Sequence, residues 1–359
     1  MISGHGDDRF NYTQAIHTDF SSNVWFGGTA PELITNLQEN LHLIGHYPEP
    51  DSNSLCREIA GYHQVDAEHV LSFNGSIEAF YTIALAYRKA VSAILYPAFA
   101  EYEDACRMHR HIPSFFRKNE WKAVLTQGAN LVWIGNPNNP DGSVFSRQQL
   151  EDALKNYPNT IFVIDEAYAA FVPDFESSIP LTSSYHNLMV VRSLTKCCAI
   201  PGLRLGYVVA SQKIASRLRK FQQPWSVNVL AQEAGKFLLH RLSEHPLDSR
   251  SISKTSAELQ HAIGLLNGFR VHSSPAPFFL IELKSGTATE LKQFLIEQHG
   301  ILIRDASNFR GLNERFFRVC TRNAIDNQLL IDGLRNYSKT INHSECGDKT
   351  AKTELKIVE

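Results

Sequence analysis

Ser193-Leu-Thr-Lys196-Cys-Cys-Ala-Ile-Pro-Gly-Leu-Arg204-Leu-Gly206-Tyr207 follows directly on the apolar run Leu188 to Arg192, so a lysine stands at the end of a strand whose pattern predicts burial. An ammonium there is disfavoured by the apolar strand and by the arginine that follows it, which favours the neutral amine that attacks a carbonyl to form a Schiff base. A surface lysine after a strand is also a common arrangement. The stretch alone leaves both readings open.

Three upstream stretches bear on the choice. Phe162-Val-Ile-Asp165-Glu-Ala-Tyr168 is an apolar strand ending in a carboxylate, with a phenol shortly after it. A strand-terminal Asp lies at the carboxyl edge of an α/β sheet, where ligands bind. A pyridoxal phosphate enzyme needs an anion there, because a protonated pyridine ring is its electron sink. Gly135-Asn136-Pro-Asn-Asn-Pro140-Asp-Gly142 ends another apolar strand, and its prolines and glycine fix a rigid loop that can aim the Asn136 amide. Phe73-Asn74-Gly75-Ser76-Ile77-Glu78-Ala79 is a strand-to-helix junction of small residues, able to cradle a phosphate on free amides and a hydroxyl. Taken singly, each also reads as an ordinary turn or cap.

Between these stretches, strands and helices alternate from about His69 to Gly206, the pattern of a mostly parallel sheet with crossover helices. Strands are expected at Val70 to Phe73, Ala93 to Tyr96, Leu131 to Gly135, Thr160 to Asp165, Leu188 to Arg192 and Leu205 to Ala210. The apolar Phe80, Ile83, Ala84 and Tyr87 recur at helical spacing within Ser76 to Tyr87. Further on, helices at Val227 to Leu242 and Ser251 to Leu266 lead to strand Phe278 to Leu283, helix Thr289 to His299, strands Ile301 to Arg304 and Phe316 to Cys320, and helix Ile325 to Tyr337. The fold expected is α/β: a large domain with a mostly parallel mixed sheet flanked by helices, plus a smaller α+β domain. The boundaries expected are an N-terminal arm with part of the small domain at 1–45, the large domain at 46–245, the small domain at 246–337 and a mobile tail at 338–359.

Composition narrows the partners. The 359 residues are 43% hydrophobic and 20% charged, as in ordinary globular proteins. Lys plus Arg total 35 against 37 for Asp plus Glu, without the positive excess that nucleic-acid binding uses. The polar N-terminus and the lack of a long apolar run point to the cytoplasm, with no membrane partner. Six cysteines without a Cys-x-x-Cys suggest buried reduced thiols, and no metal site; Cys197 and Cys198 read as packing residues.

In their order and spacing these stretches together resemble the fold type I, class I and II aminotransferase superfamily of pyridoxal-phosphate-dependent transferases, over nearly the whole chain. With Tyr47-Pro-Glu-Pro50 they look like its branch of histidinol-phosphate aminotransferases and threonine-phosphate decarboxylases. The resemblance implies that Lys196 carries the cofactor as a Schiff base, that Asp165 pairs with the pyridinium, and that Asn136 and Tyr168 hydrogen-bond the ring hydroxyl. It implies that Gly75, Ser76, Ser193, Thr195 and Arg204 hold the phosphate, with Ile77 in the same cradle. Phe99, in Tyr96-Pro-Ala-Phe99-Ala-Glu-Tyr102, matches the aromatic that stacks on the ring, with Tyr102 nearby. Tyr47 matches a tyrosine that reaches the phosphate in the neighbouring subunit, which implies a homodimer.

Reaction type depends on the substrate residues. Arg304 and Arg318 match positions that bind the substrate's anions, and Asn136 is counted with them. The opening His5-Gly6-Asp-Asp, followed by Asp19-Phe-Ser-Ser-Asn23, resembles that of the decarboxylases, in which the early His-Gly lies near the substrate phosphate. Leu302 to Leu312 and Phe317-Arg318-Val resemble the same group. Asp141, where Thr is usual, and Trp25-Phe26, where Asn-Pro is common, depart from the pattern. The function implied is decarboxylation of L-threonine O-3-phosphate to aminopropanol phosphate for the cobalamin nucleotide loop. The alternative is transamination of histidinol phosphate or a related amino acid. A non-catalytic regulator on the same fold is disfavoured by the presence of both Lys196 and Asp165.

Overall fold

The computed structural model describes the chain from residue 6 to residue 354, with backbone alone from residue 341 onward. It divides into two compact units, one of residues 24–250 and one of residues 6–23 with 251–354. These breaks differ from the 45/46 and 245/246 read from the sequence.

The larger unit is built on a seven-stranded sheet. In spatial order its strands are Val70–Phe73, Gly206–Ala210, Leu188–Ser193, Ile161–Asp165, Leu131–Gly135, Val91–Leu95 and Ile112–Phe116. Only Gly206–Ala210 runs antiparallel to its neighbours. The sheet is therefore mixed and mostly parallel, as expected. The central strands are buried along nearly their whole length, which explains their apolar runs.

Ile112–Phe116 has no counterpart in the sequence reading, because Pro113 interrupts its strand pattern. The structure puts it at the sheet edge, where a residue without an N–H is tolerated. The helix Gly75–Ala86 packs Phe80 and Ile83 against Leu71, Trp133 and Val208 in one core. Each such side chain contributes about 1.5 to 3 kcal/mol through burial. The helix Arg147–Asn156 starts at a capping box of Ser146 and Gln149, and Val229–Glu244 at Asn228, whose side chain accepts from the Ala231 N–H at 2.9 Å.

The smaller unit holds a four-stranded antiparallel sheet in the order Arg304–Asp305, Phe316–Cys320, Phe278–Leu283, Phe269–Val271. The single strand expected at Ile301 to Arg304 is divided. Ile301–Leu302 pairs in parallel with Thr18–Asp19, and the chain changes partner at Ile303 before Arg304 joins the sheet. The helix Ala288–His299 has a Thr287/Glu290 capping box and closes on Gly300 at φ 62°. It packs Leu291 and Leu295 over Phe279 and Phe317. The last helix, Ala324–Glu354, continues past Tyr337, where the sequence reading ended it, through a stretch that contains no proline to break it.

Candidate active site

The carboxyl ends of the parallel strands converge at one place in the larger unit. Gly135 is in register with Asp165, Asp165 with Val191, and Ser193 with Gly206, which also pairs with Phe73. The segments that leave these strands line a cavity, the concave setting in which small-molecule sites are found. Lys196, in the one-turn helix Leu194–Cys197, lies on its wall with Asp165, Tyr168 and Phe99.

Asp165 is buried, and its two oxygens are held separately. The Tyr102 hydroxyl donates to Oδ2 at 2.5 Å, and the Ala167 N–H donates to Oδ1 at 3.0 Å. Burial pushes its pKa up to about 6, against the pull of the Tyr102 and Ala167 hydrogen bonds and the Lys196 charge. Near neutral pH it is an anion able to face a cationic ring nitrogen. Burial and the adjacent Asp165 drive the Tyr102 phenol well above its ordinary range, so it remains a donor.

Two glycines shape the other end of the cavity. Gly75, at φ 79°, begins the helix Gly75–Ala86, and a Cβ there would come within 2.6 Å of Arg204 Nη2. Gly206 lets its strand close on that turn; a Cβ on it would reach 2.5 Å from the Ser76 nitrogen. Arg204 adopts φ 61°, a strained conformation for a side-chain-bearing residue, which brings its guanidinium back over the turn. Ser76, Ser193, Thr195 and Arg204 thus surround a small polar recess with helix N–H groups at its edge. A phosphate fits there. A carbonyl-seeking lysine, a carboxylate and a phosphate cradle on one cavity are the donor set that pyridoxal phosphate requires.

Ten residues expected from the sequence therefore lie on this wall: Ser76, Ile77, Phe99, Tyr102, Asp165, Tyr168, Ser193, Thr195, Lys196 and Arg204. Gly75 is adjacent, under Arg204. Asn136 is placed differently. It is fully buried, its Oδ1 accepts from the Phe145 N–H at 2.8 Å and its Nδ2 donates to the Phe145 carbonyl at 3.2 Å, so it braces the loop. Asn139 of the same loop is on the cavity wall instead. The sequence shows three asparagines in that loop and cannot tell which one faces inward. Asp141, the unusual residue, accepts from Asn138 Nδ2 at 2.7 Å and from the Ser143 N–H at 3.1 Å and closes the turn. Tyr47 is 86% exposed, away from the wall, with its ring 5.5 Å from that of Trp225.

In the smaller unit Arg304 and Arg318 are direct partners across an antiparallel pair, and both are buried. Like charges opposite one another are unfavourable unless an anion joins them. Burial first, then the Arg318 charge, lowers Arg304 to about 10. Arg304 donates from Nη2 to Asn308 Oδ1 at 2.7 Å and lies over the Phe309 ring. Arg318 donates from Nη2 to the Ser21 carbonyl at 2.6 Å. Gly6 packs on that same carbonyl, so closely that a Cβ would come within 2.3 Å. His5 lies outside the described residues. Among the described residues no cluster of His, Cys, Asp and Glu is gathered as a metal would need, and no helix is long and apolar enough to cross a membrane.

A family model described as aminotransferase class I and II matches residues 15–334. The chain is 33% identical over 333 residues to the threonine-phosphate decarboxylase of Salmonella typhimurium, covering 89% of this chain and 90% of that protein. It is 31% identical over 319 residues to the histidinol-phosphate aminotransferase of Thermoanaerobacter pseudethanolicus, covering 85% and 88%. Among solved structures, L-threonine-O-3-phosphate decarboxylase from Porphyromonas gingivalis superposes with a TM-score of 0.87 at 40% identity, covering 89% of this chain and 99% of that one.

Proposed function

Because the chain belongs to the class I and II aminotransferases, a family of pyridoxal-phosphate-dependent enzymes, we propose that it decarboxylates L-threonine O-3-phosphate to aminopropanol phosphate, of the kind used in the cobalamin nucleotide loop. The observation that carries this reading is the packing of Gly6 on the Ser21 carbonyl held by Arg318. It brings the N-terminal segment to a pair of buried arginines, and the sequence of that segment resembles the decarboxylases. The similarity to two threonine-phosphate decarboxylases supports the same choice.

When bound, pyridoxal phosphate supplies a pyridinium ring that accepts the electron pair left by a bond broken at Cα. Lys196 would hold the cofactor, and Asp165 would keep its ring nitrogen protonated. Phe99 would pack against the ring, Tyr168 and an asparagine of the 136–142 loop would hydrogen-bond its hydroxyl, and Ser76, Ser193, Thr195 and Arg204 would bind the phosphate. Arg304 and Arg318, with His5, would anchor the substrate's anionic groups and so present its carboxylate, instead of Cα–H, for loss. The Lys196 amine would supply the proton that takes the place of the carboxylate at Cα.

The enzyme acts as a homodimer in this reading. Tyr47, Ile44 and Leu41 are exposed large side chains on one short stretch of the larger unit, a surface that suits a second copy. Tyr47 would reach the cofactor phosphate of the second copy. The deciding experiment supplies purified protein and pyridoxal phosphate with L-threonine O-3-phosphate and follows carbon dioxide and 2-oxo acid separately. Carbon dioxide without 2-oxo acid is expected. Turnover that requires 2-oxoglutarate and yields glutamate from histidinol phosphate would replace this reading with the aminotransferase.

A further inference from the structure

A second cavity of about 880 Å³ shares Ala167 and Ser193 with the first and reaches Cys197. The proposed reaction uses neither Cys197 nor its neighbour Cys198, whose sulfurs stand 3.7 Å apart. Arg192 lines the same cavity with Glu166, the two forming a 3.0 Å ion pair.

The two thiols are placed differently: Cys197 is on the cavity wall and Cys198 is not. The contact with Cys198 and the Arg192 charge together pull the Cys197 thiol below its ordinary range. Cys198 is pushed up by the same contact and by burial. Elsewhere, burial pushes up the thiols of Cys56 and Cys106, the second to about 12. A thiolate, and not a thiol, is the reactive form, and of the described cysteines Cys197 alone is on the wall of this cavity.

We propose that Cys197 and Cys198 form an oxidisable dithiol site, in which Cys197 reacts with a small hydroperoxide and Cys198 resolves the product to a vicinal disulfide. The Cys197 thiolate attacks one peroxide oxygen. The O–O bond breaks, the sulfur becomes a sulfenic acid, and the other oxygen leaves as hydroxide, which takes up a proton to form water. Cys198 sulfur then attacks the sulfenic sulfur; the S–S bond forms, the S–O bond breaks, and the hydroxyl leaves as water with the Cys198 proton. Two thiols lose two electrons, and hydrogen peroxide becomes two waters.

Adjacent Cα atoms are about 3.8 Å apart, short of the roughly 4.4 to 6.8 Å that disulfides prefer. The bond is therefore strained and readily reduced, which belongs to the labile class rather than the structural one. Closing it also requires the turn after the helix Leu194–Cys197 to rearrange, since Cys198 is at φ −96° and Ala199 at φ 51°. That turn directly follows Lys196.

The test is treatment of the full-length protein with near-stoichiometric hydrogen peroxide, followed by peptide mapping by mass spectrometry. This readout is independent of the reaction catalysed. The expected result is loss of two hydrogens from the peptide holding both residues, restored by dithiothreitol, while the other four cysteines stay reduced. Cys198→Ser should stop at a Cys197 sulfenic acid that dimedone captures, and Cys197→Ser should slow oxidation of the peptide at least tenfold. Oxidation at Cys56, Cys106, Cys320 or Cys346 as fast as at Cys197 would overturn the proposal. So would undiminished oxidation of Cys198 in a folded Cys197→Ser protein, or a pair still reduced when those other cysteines react.

Discussion

The Tyr102 hydroxyl donates a 2.5 Å hydrogen bond to Asp165 Oδ2, and both side chains are buried. This bond opposes the burial that raises Asp165 to about 6, and so sets how far the pH can fall before the carboxylate is lost. Tyr102→Phe removes a hydrogen bond to a charged group, worth about 1.5 to 3 kcal/mol. Asp165 should then protonate at higher pH. Titrating pyridoxal phosphate affinity by absorbance should show binding fail at a higher pH in the variant than in the parent.

Asp165 carries a cost in the fold itself. Its folded value lies above that of an unfolded aspartate, so its contribution to stability is fully present below about pH 4 and is lost as the pH rises through 6. At pH 8 the loss is on the order of 3 kcal/mol. Asp165→Asn, neutral throughout, should make the cofactor-free protein more resistant to urea at pH 8. An amide oxygen replaces only one of the two acceptors, which reduces the gain to about 2 kcal/mol. The gain should shrink between pH 6 and pH 4, while cofactor affinity falls. Equal urea midpoints at pH 8 would show that the buried charge is not costly.

Gly75→Ala combines a left-handed backbone angle with a Cβ aimed at Arg204. Backbone strain alone costs about 1 to 3 kcal/mol, and the guanidinium must leave the recess. The expected result is a folded protein with pyridoxal phosphate affinity reduced tenfold or more. Unchanged affinity would remove Arg204 from the phosphate cradle.

Arg304→Gln should relieve the repulsion with Arg318 and forfeit a charged contact to substrate worth about 1.5 to 3 kcal/mol. KM for L-threonine O-3-phosphate should rise ten- to a hundredfold. The cofactor spectrum should be unaltered. Inorganic phosphate should raise the thermal midpoint of the parent more than that of the variant.

Tyr47→Phe and Lys196→Ala proteins test the dimer when mixed. If Tyr47 serves the partner's site, subunit exchange gives heterodimers with one site damaged twice and one intact, and activity returns. Exchange without recovery would place Tyr47 outside the neighbouring site.

Much of the larger unit was legible because its strands are buried on both faces. Leu131–Gly135 matches the expected strand end for end, and so does Val70–Phe73, since short, mostly apolar runs that end at Gly or Asn leave little choice. The edge strand Ile112–Phe116 was hidden by Pro113, whose acceptability depends on a neighbour the sequence does not show. On the cavity wall, Ser76, Asp165 and Lys196 were legible from the strands they follow or end, whereas Phe99 and Tyr102 were reached only through the family resemblance. Asn136 shows where this reasoning stops. Loop side chains choose between backbone and cavity by tertiary contacts, here with Phe145, and no periodicity records that choice. The cross-strand meeting of Arg304 and Arg318 was equally invisible, because register arises only when two strands pair.

The strand Gly206–Ala210 enters the sheet against the direction of its neighbours, between Val70–Phe73 and Leu188–Ser193. Its partners come from opposite ends of the larger unit's sequence, so closing this pair carries the entropy of a very long loop. The parallel strands between can associate earlier, through nearer contacts. During synthesis, the turn at Gly75 emerges long before Arg204 and Gly206 exist to cover it. A nascent chain with most of its sheet in place would still have no closed phosphate recess, so tight cofactor capture certifies that the unit has finished folding.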